Sequence, residues 1–180
     1  SKPAKWHLKV YALNCAETCY QLKFFMYEGR SEVCPAGMPA TVYPVWRLLR
    51  DGKYHHNEYI LYTDNWYTSI SVVRLVQTMG IHCVGTVRTN KAGLPKEAVF
   101  PKSGRGKRTR GDMKCVVKSF GPDQDIYFTA WMDSKPVHLL HTTKPYKQTV
   151  ERAQKGTSAK VLVPQPSVIE DYNYGMRGTD

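Results

Sequence analysis

An aspartate that closes an apolar run either makes a turn or presents a carboxylate for chemistry. Asp64 stands at such a point in the stretch YILYTDNWYTS, at the end of the run 59–63 and directly before Asn65, Trp66 and Tyr67. At the carboxyl end of a strand in an open α/β sheet, a side chain projects into a crevice lined by loops. There Asn65 can orient the acid and Trp66 can cover it. The alternative is an Asx-type turn that also caps the next helix. Both readings stand on these residues alone. A second chemical feature is a basic run. Arg88, Lys91, Lys96, Lys102, Arg105, Lys107, Arg108, Arg110, Lys114 and Lys118 face only Glu97 and Asp112 between positions 88 and 118. Such a run suits a polyanion, because each neutralised phosphate releases counterions. A solvated loop or a nuclear-import signal is the plainer reading.

The elements that must hold these residues follow from periodicity. HLKVYALNC alternates apolar and polar residues, CYQLKFFMYEGR does so again, and NCAET between them reads as a turn, so the two make a hairpin. In TVYPVWRLLRDG, Val42, Val45, Trp46 and Leu49 share one helical face, Pro44 fits the first turn, and Gly52 closes the helix. YILYTD reads as a strand buried on both faces at the centre of a mixed sheet. Thr68 or Ser69 caps the next helix, Val72, Leu75, Val76 and Met79 line its buried face, and Gly80 ends it. IHCVGTVRT is a further strand. Residues 1–90 therefore read β-β-α-β-α-β, an α/β core. Residues 91–165 read as a basic Gly- and Pro-rich loop followed by a β-rich insertion of three strands, with MDSKP as a turn. The stretch 144–167 is polar and weakly patterned. Residues 166–180 return as a helix with Ser167 as its cap.

The 180 residues carry a formal charge of +11 and suit one domain with an insertion. No apolar run approaches the roughly 20 residues of a membrane span. Cys15 and Cys19 lack a second close pair, so zinc is unsupported, and the five cysteines read as reduced structural thiols of an intracellular protein. His138 and His141 read as structural, and His55 and His56 as loop residues. Trp6 and Trp46 pack the main sheet, and Trp131 packs the insertion. Trp66 and Tyr67 read as buried against the following helix, with stacking on an unpaired base as the other reading.

The segments YTDNWYTS, VGTVRTNKAGLPKE and YNYGMRGTD occur in that order, after KPAKWHLKVYAL and YEGR. Together they resemble the corresponding segments of piggyBac-type DNA transposases over nearly the whole chain. The resemblance implies an RNase H-like mixed sheet with flanking helices and a β-rich insertion. It also implies three aspartates holding Mg2+ or Mn2+. Two of them correspond to Asp64 and Asp180, and the first, with the first strand, falls before Ser1. Attack by water would free a 3′ hydroxyl, which would then attack a second phosphate. The implied partner is double-stranded DNA, at transposon ends and target, with a homodimer, nuclear location and no small-molecule substrate. Arg88, Lys91, Lys107, Arg108 and Arg110 are the expected phosphate contacts. Asp133 and Asp171 are lesser candidates for a catalytic acid, and the family counterpart of Asp133 is a hairpin turn. Arg177 and Thr179 depart from the family's usual Gly and Val, and a cation there would pair with Asp180 or touch a phosphate. A catalytically silent, domesticated DNA-binding module and a nuclease without strand transfer are the competing readings.

Overall fold

The computed structural model describes residues 8–29, 34–55, 58–100, 109–154, 156 and 158–178. Trp6, His56, Lys102, Arg105, Lys107, Arg108, Thr179 and Asp180 lie outside the described residues.

The anticipated hairpin forms from β1 (Val10–Asn14) and β2 (Gln21–Met26), paired antiparallel with Val10 opposite Met26 and Ala12 opposite Phe24. Strict alternation gives it two unlike faces. Tyr11 is buried against Phe25, whereas Val10, Leu22, Phe24 and Met26 are exposed. Helix α1 (Tyr43–Asp51) covers the first face. Its Val45, Leu48 and Leu49 are buried, and the Arg47 guanidinium carbon lies 4.1 Å from the Phe25 ring centroid. Trp46, expected to pack the sheet, is only half-buried and lies beneath Arg50.

A second sheet has the order β3-β4-β7-β6-β5, built from β3 (Ile60–Thr63), β4 (His82–Thr86), β5 (Met113–Ser119), β6 (Asp125–Met132) and β7 (Pro136–His141). Strands β3 and β4 run parallel, and every other pair is antiparallel. The parallel pair is joined by α2 (Ile70–Thr78), whose Val72, Val73 and Val76 are fully buried. Of the two expected caps, Ser69 acts, accepting the Val72 N–H at 3.3 Å. Gly80, with φ of +72°, ends the helix in a conformation that disfavours a Cβ. The strands expected as an insertion thus continue the sheet that holds β3 and β4.

The structure corrects three expectations. Among the described residues YILYT is an edge strand, with Ile60 exposed, because its outer side faces a cleft. That cleft, about 560 Å³, separates Ala12, Leu13 and Asn14 of β1 from Ile60, Leu61 and Tyr62 of β3. The polar stretch after position 144 is a second hairpin, β8 (Lys147–Ala153) with β9 (Lys160–Pro166). Its alternation is muted because most of its outward side chains and several inward ones are polar. It still contributes to the core. Val163 is buried beside Trp131, whose indole N–H donates to the Pro164 carbonyl at 2.8 Å. Finally, Ser167 does not cap α3 (Ser167–Gly175). Its hydroxyl accepts the Tyr146 N–H instead, which ties the helix start to the residue that precedes β8.

The two buried histidines are satisfied within the core, as a structural role requires. His138 Nε2 accepts the Phe100 N–H at 3.1 Å. His141 lies between the Thr143 carbonyl (2.7 Å from Nδ1) and the Thr129 hydroxyl (2.8 Å from Nε2). A carbonyl only accepts, so the neutral ring carries its proton on Nδ1 and Nε2 accepts from Thr129. Burial pushes the His141 pKa down to about 4, partly offset by the bond to Thr143. The unfolded chain takes up this proton near the ordinary histidine value, whereas the folded chain resists it. Stability is therefore full above about pH 6.5 and falls as the pH drops toward 4. A loss of about 3 kcal/mol over that window is expected from this residue. Thermal melts of wild type and His141→Gln at pH 7 and pH 4.5 check it, since the variant should show a shallower acid slope.

Candidate active site and nucleic-acid interface

The loops after β3 and β4 lie side by side because these strands are parallel neighbours. Gly85 makes the close pairing possible. A Cβ there would overlap the Thr63 and Thr68 hydroxyls and would come 2.8 Å from the Thr63 carbonyl oxygen. Those two hydroxyls bond each other at 2.8 Å in a fully buried position. The Thr68 hydroxyl also donates to the Asp64 carbonyl at 2.6 Å, as does its backbone N–H at 3.0 Å. The Asp64 carbonyl is thus held by two donors of Thr68.

The carboxylate of Asp64 divides its work. Oδ1 accepts the N–H groups of Trp66 at 3.0 Å and Tyr67 at 3.3 Å, which is the Asx-turn arrangement. Oδ2 accepts no hydrogen bond among the described residues. The two readings of this residue are therefore compatible: one oxygen holds the turn and the other remains available. Asp64 lines a cleft of about 450 Å³ together with Thr63, Tyr67, Tyr172 and Met176.

Asn65 does not orient the acid. Its Oδ1 accepts from Arg88 Nε at 2.8 Å, which clasps the first loop to the second. Lys91 Nζ donates to the Trp66 carbonyl at 3.3 Å and makes a second clasp. Arg88 and Lys91, proposed from the basic run, thus stand beside Asp64. Arg110 is elsewhere, with Nε 2.6 Å from Asp133 and Nη1 2.7 Å from the Ala153 carbonyl. Asp133, in its hairpin turn, is the partner of that arginine. Asp171 is exposed on α3.

The aromatic pair separates. Tyr67 is half-buried against Tyr11, and burial, then Tyr11 and Asp64, pushes its pKa up to about 12. Trp66 was expected to be buried and is not: it is 54% exposed. Lys9 was missed by the sequence reading. Its Nζ lies 4.6, 5.2 and 5.5 Å from the ring centroids of Tyr11, Tyr27 and Trp66. No local signal marks it, since the contact joins the start of β1 to a loop more than fifty residues later.

Helix α3 packs on the sheet through Gly175, where a Cβ would overlap the Tyr62 ring, and through Tyr172, whose hydroxyl lies 3.1 Å from that of Thr86. Beyond α3 the chain passes through a 3-10 turn, Met176–Gly178. The Gly178 carbonyl accepts from Asn14 Nδ2 at 3.0 Å, and the Arg177 carbonyl faces Cys19 Sγ. These contacts lie at the far end of β1 from Lys9 and Tyr11. The Arg177 guanidinium lies over Tyr174. Among the described residues no group of three His, Cys, Asp or Glu side chains is arranged to hold a metal ion. Asp64 suits a hard cation as a single ligand, through its open Oδ2. The described residues do not complete such a site.

Comparison with known proteins matches the family described as Transposase IS4 over residues 1–180. No curated protein matches. Among solved structures, a piggyBac transposase seen by cryo-EM in a synaptic complex with hairpin DNA is similar, with a TM-score of 0.72 and 24% identity. The alignment covers 100% of this chain and 34% of that one, so the chain spans about a third of that protein's length. The fold is the expected one, a mixed α/β sheet with flanking helices of the RNase H-like kind.

Proposed function

Because the chain belongs to the Transposase IS4 family, we propose that it is part of a piggyBac-like catalytic domain that cuts and joins DNA strands. The observation that carries this reading is the Oδ2 of Asp64, which accepts no hydrogen bond among the described residues while Oδ1 holds the turn; Asp64 lines a cleft, and its neighbours Asn65 and Trp66 are clasped by Arg88 and Lys91. In this proposal residues 1–90 and 166–180 supply the core's candidate acids, and residues 91–165 supply the basic loop together with strands β5–β7 that extend the same sheet. Asp64 and Asp180 are two of the carboxylates of a divalent-metal site. Divalent Mg2+ or Mn2+, when bound, supplies activation of the attacking oxygen and neutralisation of charge at phosphorus.

The chain's own residues do the rest. Asp64 offers one oxygen from a backbone fixed by Thr63, Thr68 and Gly85, so the ligand is pre-positioned. Arg88, Lys91, Lys107 and Arg108 hold phosphates of double-stranded DNA, either transposon ends or target, whereas Arg110 is engaged by Asp133 and the Ala153 carbonyl. Two of these are already pinned beside the acid. The similar piggyBac structure holds hairpin DNA in a synaptic complex, which supports DNA as partner and, by analogy, pairing of two copies. Work on DNA and the basic run together support a nuclear location.

Arg88→Ala combined with Lys91→Ala is expected to lower the salt slope of duplex binding by about 2, given about 0.9 per phosphate contact. Fluorescence anisotropy between low and physiological salt measures it, and an unchanged slope removes both residues from the interface. The chemistry is tested by incubating the whole protein with end-labelled duplex and Mg2+ or Mn2+. Strand breaks ending in free 3′ hydroxyls are expected. Uncut DNA, from protein that binds the duplex, would instead establish the silent DNA-binding module.

A further inference from the structure

We infer that Trp66 is a stacking platform for an unpaired base of the bound DNA, an inference that rests on the DNA reading above. The indole is more than half exposed, whereas Trp131 is buried and Trp46 is half-buried. Its backbone is immobilised at both ends: the N–H by Asp64 Oδ1 at 3.0 Å and the carbonyl by Lys91 Nζ at 3.3 Å. Among the described residues the ring contacts of this exposed indole are with the Lys9 and Arg88 cations and with no apolar side chain.

The surrounding charge identifies the occupant. The Lys9 ammonium lies 5.5 Å and the Arg88 guanidinium carbon 5.9 Å from the Trp66 ring centroid. With Lys91 they surround the indole with positive charge. A cationic peptide is repelled there, and a phosphodiester strand is attracted. Sequence-tolerant capture of single strands pairs an aromatic face with a positively charged track for the backbone. Within an intact duplex both faces of each base are already stacked, so only an unpaired or extruded base can meet the indole. Since Asp64 Oδ1 holds the Trp66 N–H, a base held on Trp66 is bound at the turn that carries the acid.

The test uses the 180-residue chain and two duplexes of the same sequence, one with a single unpaired 2-aminopurine and one fully paired. Wild type is expected to quench the 2-aminopurine on binding. Trp66→Ala is expected to bind the interrupted duplex about tenfold more weakly and to abolish the quenching, while binding to the paired duplex changes less than about twofold. Trp66→Phe should retain most of the affinity and the quenching. Absence of quenching by wild type, or an equal loss on both duplexes with Trp66→Ala, overturns the inference and leaves the DNA reading intact. Failure of wild type to bind even the paired duplex at low salt removes both.

Discussion

Asp64→Asn is expected to lower DNA strand cleavage by roughly 1000-fold or more in the whole protein, because the acids of such a site act as a unit. The amide keeps the side chain's shape, and its oxygen can still accept the Trp66 and Tyr67 N–H groups that now bond Oδ1. The turn should therefore persist. What changes is the second position. Where an anionic oxygen stood, an NH2 now stands, which donates and cannot ligate a cation. The expected signature is loss of cleavage with DNA affinity within about twofold of wild type and an unchanged melting temperature. A substitution that merely loosened the turn would instead lower both affinity and stability. Measuring the three quantities on one preparation separates the cases. Cleavage at near-parental rate would show that the open oxygen of Asp64 takes no part in the chemistry.

The second large effect concerns the scaffold. Gly85→Ala is expected to destabilise the fold by about 2–3 kcal/mol, at the upper end of overpacking costs. The added methyl group would meet the Thr63 and Thr68 hydroxyls, which could rotate, and the Thr63 carbonyl oxygen, which cannot. Relief requires β3 to move away from β4, and that shifts Asp64, only one residue beyond Thr63. Gly85→Ala should therefore impair cleavage even where the protein remains folded. Urea denaturation measures the first effect, and cleavage at a temperature well below the melting point measures the second. Gly80→Ala is an informative companion. It strains a left-handed residue at a helix end without crowding this strand pair, so it should cost stability and spare the site.

What could be read from the amino-acid order was whatever local pattern enforces. The hairpin of β1 and β2 follows from period-two alternation. The two first helices follow from Val42, Val45 and Leu49 and from Val72 and Val76, with Ser69 as a true cap. The position of Asp64 at a strand end was equally visible. The rest depended on contacts between distant residues. Ser167 has the right type for a cap, yet Tyr146 competes for its hydroxyl. Asn65 stands next to Asp64 in sequence, yet Arg88 claims its oxygen. Trp66 follows the statistical tendency of indoles to be buried only until the neighbouring cations are placed. The hairpin of β8 and β9 carries too few apolar residues for its alternation to stand out, and its burial comes from Trp131 on another strand. Arg110 looked like part of a free basic run, and its pairing with Asp133 joins two turns far apart in sequence.

The claim on which the account depends is that a divalent cation binds at the open oxygen of Asp64. Paramagnetic broadening of backbone amide signals by Mn2+ tests it most directly, with Asp64→Asn as the control. The account predicts that Mn2+ selectively broadens the signals of residues 63–68 in the wild-type chain and leaves them sharp in the variant. Broadening centred elsewhere, or broadening of the same turn that survives in Asp64→Asn, would contradict it.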